Sequence, residues 1–71
     1  MSIQSYYVVC SYMVENYETK NNEYRFESEI LKGDSDDMEN NIAKWNIYFK
    51  DKIEDDVGDI KYLTIVNWKA L

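Results

Sequence analysis

The groups in this chain that could do chemistry are few. There is no histidine, so a triad built on an imidazole base is excluded, and a proton shuttle would have to come from carboxylates or a thiol. The one cysteine, Cys10, sits among tyrosines and valines, where a thiol is a small buried hydrophobe with no cation beside it to stabilise a thiolate. A lone cysteine also forms no intrachain disulfide and no cysteine-based zinc site. Glu27 and Glu29 are spaced to share one face of a strand, but an alternating carboxylate row is more readily a solvated surface than an acid/base pair.

Two acidic runs remain. Asp34, Asp36, Asp37 and Glu39 offer clustered oxygens, yet they lack the glycine and the terminal acid of a calcium loop and run directly into a helical pattern, so they read as helix capping. Glu54, Asp55, Asp56 and Asp59 lie past the other end of that pattern, where negative charge does not favour the helix, and read as an acidic docking patch or a solubilising loop. No constellation supports catalysis, a metal or a cofactor. A non-enzymatic protein is expected.

The element that organises the chain runs from Asp36 to Asp55. Met38, Ile42, Trp45, Phe49 and Ile53 recur at helical spacing and, at roughly 100° per residue, fall within about 80° of arc. Asp36 and Glu39 have capping-box spacing, with Ser35 and Asp37 as other caps, Lys50 and Lys52 stand towards the negative end, and Gly58 supplies a residue tolerant of positive φ after it. Before the helix, Ile3 to Val14 is rich in β-branched and aromatic residues and apolar on both faces: Tyr6, Val8, Cys10, Tyr12 and Val14 against Ile3, Tyr7, Val9 and Met13. That pattern predicts a central strand. Glu15 to Glu23 is polar and predicts a hairpin tip at Asn21 and Asn22. Glu23 to Lys32 alternates strictly, predicting an edge strand with Tyr24, Phe26, Ser28 and Ile30 against the helix and Arg25, Glu27 and Glu29 outward. Ile60 to Leu71 predicts a third strand.

The order is ββαβ, an α+β fold in one domain over residues 1–71, with a three-stranded antiparallel sheet in the order 2-1-3 and the helix on one face. One helix covers one face only. The other face would carry Tyr7, Val9 and Met13 together with one row of the third strand. If Leu63 and Ile65 face the helix, that row is Tyr62, Val66 and Trp68; in the opposite register it is Leu63 and Ile65. Either way an apolar patch is left open, which on a small domain marks an interaction surface. Ile47, opposite the helix stripe, should face solvent.

Eight basic residues against fourteen acidic ones give a net charge of −6, and the basic residues are scattered, so direct nucleic-acid binding is not expected. No basic leader or run of apolar residues long enough to span a bilayer is present, and with cysteine usage this predicts a soluble cytoplasmic protein. The leading expectation is a protein-protein interaction module, pairing its open sheet face with a second copy (a homodimer) or another protein. The alternative is an accessory inhibitor of mobile-element or phage type, whose acidic clusters imitate nucleic-acid charge and block a basic nucleic-acid-binding protein.

Overall fold

The computed structural model describes residues 2–16 and 21–71, and side chains among these except that of residue 16. Two strands, β1 (Ile3–Asn16) and β2 (Asn21–Asp34), are followed by helix α1 (Met38–Val57) and strand β3 (Ile60–Ala70). The sheet is antiparallel throughout in the order β2-β1-β3, as expected for an α+β ββαβ chain. β1 and β2 pair along their whole length, from Ile3 opposite Asp34 to Asn16 opposite Asn21. Asn21 and Asn22 therefore belong to β2, as Glu15 and Asn16 do to β1; the middle of the predicted Glu15–Glu23 tip, residues 17–20, lies outside the described residues.

The helix forms where its stripe demands. Trp45, Phe49 and Ile53 are buried, and Met38 and Ile42 pack against the same core. Its N-cap is Asp37, whose carboxylate accepts the Asn40 N–H at 3.3 Å, one residue later than the Asp36 capping box. Asp34 has a different role: its Oδ1 accepts the N–H of Asp36 at 2.9 Å and that of Ser2 at 3.4 Å, and these bonds hold its carboxyl below the ordinary range. At the far end Gly58, at φ +85°, donates its N–H to the Glu54 carbonyl and turns the chain into β3. The lysines expected near the C-terminal end fall short of the last turn, which holds no basic residue.

The core lies between α1 and one face of the sheet. From β1 it takes Tyr6, Val8, Cys10 and Tyr12, with Val14 partly buried, the row assigned to the helix side. From β3 it takes Ile60, with Leu63 and Ile65 packed against it. The Tyr6 and Trp45 rings lie 5.4 Å apart at a tilt, and Trp45 Nε1 donates to the Lys32 carbonyl at 3.1 Å, so the indole joins the helix to β2 as well as to β1.

β2 is turned over relative to expectation. Residues paired across an antiparallel ladder share a face, and Val8, Cys10 and Tyr12 stand opposite Glu29, Glu27 and Arg25. The charged row is thus on the helix side, and Tyr24, Phe26 and Ile30, expected to line the core, are on the open face. The helix accommodates the charged row at its shoulder: Tyr48 donates its hydroxyl to Glu29 Oε1 at 2.7 Å and Lys52 Nζ donates to Glu29 Oε2 at 2.6 Å.

Candidate functional site

The open face is built by three rows. β1 contributes Tyr7, Val9, Ser11 and Met13; opposite them β2 places Ile30, Ser28, Phe26 and Tyr24, and β3 places Lys69, Asn67, Thr64 and Lys61. Tyr24 and Phe26 are 71% and 70% exposed and Ile30 is 62% exposed. Tyr7 is also exposed and Val9 half-buried. Two strands therefore present an apolar strip from Tyr7 and Ile30 to Met13 and Tyr24, with Ser11 and Ser28 within it and Ser5 and Lys32 separating it from Ile3, and the third strand borders it with polar and basic side chains.

Of the residues expected on this face, Tyr7 and Val9 are there and accessible. Met13 has the right orientation but is only 6% exposed, lying in the central strand between Tyr24 and Lys61. The β3 residues follow neither simple register. Leu63 and Ile65 pack towards the helix, yet Trp68 stands opposite the fully buried Val8 and so shares the helix side. Two irregularities in the β1–β3 ladder reset the alternation, one leaving Val66 between the paired Ile65 and Asn67, the other at Tyr62 and Leu63. Tyr62 adopts φ +58°, a left-handed conformation rare for an aromatic residue, and lines a shallow groove on the helix side with Ala43, Asn46, Ile47 and Leu63. Ile47 is exposed there, as its place opposite the stripe requires. Tyr24, Phe26 and Ile30 are the site residues that sequence reasoning assigned to the core.

The charges are segregated. Among the described carboxylates only Glu15 and Asp34, near the two ends of β1 and β2, share the alternation of the open face; Glu23, Glu27 and Glu29 are on the helix side, and the others belong to α1 and its flanking turns. Lys32, Lys61 and Lys69 are exposed on the open face and, among the described residues, make no ion pair. The acidic patch at the end of α1 is partly occupied with the fold: Glu54 is half-buried and its Oε2 accepts the Ile60 N–H at 3.5 Å, while Asp55, Asp56 and Asp59 are exposed.

Chemically reactive arrangements are sparse. Cys10 is fully buried, and burial pushes its thiol up to about 11, leaving it protonated at neutral pH. Among the described residues no group of three or more His, Cys, Asp or Glu could hold a metal ion, and no helix is long and apolar enough to cross a membrane. Comparison with protein-family models, with curated proteins and with solved structures found no match to this chain.

Proposed function

We propose that this chain is a small non-enzymatic protein-interaction module whose working surface is the open sheet face. The observation that carries the reading is the row Tyr24, Phe26 and Ile30, each more than 60% exposed, aligned beside Tyr7 and Val9. Isolated apolar side chains are ordinary on a protein surface. A strip of this kind, next to a fully formed core on the opposite side, is surface retained for a contact. Its composition of aromatic and aliphatic residues, with charge confined to the margin, is that of an interface centre.

The test compares wild type with Phe26→Glu as immobilised baits, and Ile47→Glu as a control on the helix side. The proteins retained, copies of the chain included, should be lost with Phe26→Glu and kept with Ile47→Glu. Identical retention by all three would remove the open face as the working surface. Imitation of nucleic acid has less behind it: the exposed acids at the end of α1 reduce to Asp55, Asp56 and Asp59 once Glu54 bonds to the backbone of β3.

A further inference from the structure

We infer that the occupant of the open face is the same face of a second copy, giving a four-layer dimer with two sheets inside and the helices outside. The inference rests on the reading of that face as the working surface and names its partner.

Surface area gives the first argument. A chain of 8.5 kDa folded as a self-sufficient monomer exposes about 4,700 Å². This chain exposes 5151 Å², roughly a tenth more. The excess goes with an elongated molecule of 47 × 17 × 17 Å, along whose long strands the open face runs. With strands of 14, 14 and 11 residues, a rise of about 3.3 Å per residue and a strand spacing of about 4.8 Å, the face measures roughly 600 Å². Stacking two such faces removes roughly 1,200 Å², the lower end of the range for specific, stable interfaces. A chain of 71 residues with a core on one side of its sheet is also the kind of scaffold to which association supplies a second core.

Charge decides between occupants. Two copies at −6 repel, and contact through the helix sides would press acid against acid. The open face is where they can meet, because its carboxylates are confined to the ends and the acidic helices then point apart. Its lysines stand at the margin: Lys61 and Lys69 on the edge strand β3, eight residues apart, and Lys32 towards the end of β2. From there long side chains extend past the rim into water while the centre packs. A nucleic-acid strand would need those cations as a continuous track along the aromatic residues, and the net charge of −6 repels it as it approaches. Two copies stacked about 10 Å apart would interdigitate Tyr24, Phe26 and Ile30 of each with the strip of the other, a self-complementary contact that closes on a two-fold axis.

The experiment is analytical ultracentrifugation of the full chain over a concentration series at low and high salt, with Phe26→Ser, Phe26→Glu and Ile47→Glu alongside and circular dichroism to confirm that each variant is folded. A dimer is expected whose dissociation constant rises about 30-fold or more in both Phe26 variants, is unchanged in Ile47→Glu, and holds or tightens with added salt as lysine repulsion is screened. A monomer at several hundred micromolar, a dimer indifferent to Phe26, or a dimer lost with salt each overturns the inference. So does saturable binding of a fluorescent oligouridine that Phe26→Ser abolishes, since it gives the face to nucleic acid. A monomer whose bait still retains other proteins through Phe26 removes the second copy and keeps the working surface; a monomer that retains none removes both.

Discussion

On the helix side of β1, Val8 and Cys10 are sealed completely from solvent, while Tyr7, between the same strands and one residue away from Val8, is 44% exposed. The contrast repeats in β2, where Glu29 engages Tyr48 and Lys52 of α1 and its neighbour Ile30 projects into solvent. Both faces of the hairpin hold apolar side chains, but only one has a helix to bury them. The difference is one of supply: the strands carry more apolar surface than a single stripe on α1 can cover. The core lies on the helix side, and the surplus on the other side is what the proposed contact uses.

Truncating one phenylalanine on each face should separate the two sides by the widest margin. Phe49 is fully buried in the core, and Phe49→Ala should destabilise the chain by about 3–5 kcal/mol, through lost burial and the cavity left behind. Phe26→Ala, measured in denaturant at a concentration where the chain is monomeric, should change stability by less than about 0.5 kcal/mol, as for surface positions without special contacts. Comparable losses in the two variants would mean that the open face is packed in the monomer, and the division between the faces would fail.

How far this division could be read in advance differs between elements. The helix was legible, because five apolar residues on a narrow arc admit one burial direction, and the central place of β1 followed from its two apolar rows. The alternation of β2 was equally plain, but period-two alternation identifies two rows without saying which row meets the helix. That is set by register with β1, and a one-residue slip exchanges the faces. Tyr48 and Lys52, on the helix shoulder with the right chemistry for a carboxylate row, were the available signal that Glu29 turns inward. β3 was illegible for a different reason: its apolar residues fall on both faces, so nothing in their spacing marks the irregularities at Tyr62 and Val66.

Asn41 was also missed, although it falls at the edge of the apolar stripe, where a buried polar residue has to find partners. Its Oδ1 accepts the Asp34 N–H at 3.0 Å and its Nδ2 donates to the Asp34 carbonyl at 2.6 Å, tying the first turns of α1 to the end of β2. Gly33 allows this approach, since a Cβ there would lie 2.7 Å from the Asn41 amide. Asn41→Leu takes this partner from the Asp34 N–H, while the Asp34 carbonyl keeps the Asp37 N–H at 3.1 Å, and should cost about 1–3 kcal/mol in denaturant unfolding. An Asn41→Leu chain that still self-associates through Phe26 would place the loss on the helix side alone. A stability equal to wild type would show that water or the neighbouring backbone replaces the amide.

The smallest expected effect distinguishes the two rows of β2 by pH. Lys52 first, and Tyr48 second, hold the Glu29 carboxyl below its ordinary range. A carboxyl whose folded value is depressed stabilises the folded chain above its unfolded value of about 4.3, and this contribution disappears as pH falls through the folded value. The pair is partly exposed, with side-chain accessibilities of 47% for Lys52 and 31% for Glu29, so solvent screens it and the contribution is minor. Thermal midpoints of wild type and Glu29→Gln, followed from pH 7 to pH 3, should be separated at neutral pH and converge in acid, with the separation at pH 7 shrinking as salt is added. Carboxyls common to both chains, Asp34 among them, cancel in the difference. Curves separated by the same amount at pH 7 and pH 3 would mean that the glutamate contributes by packing, and that the charged row is tolerated on the helix side without any ionic contribution from Lys52.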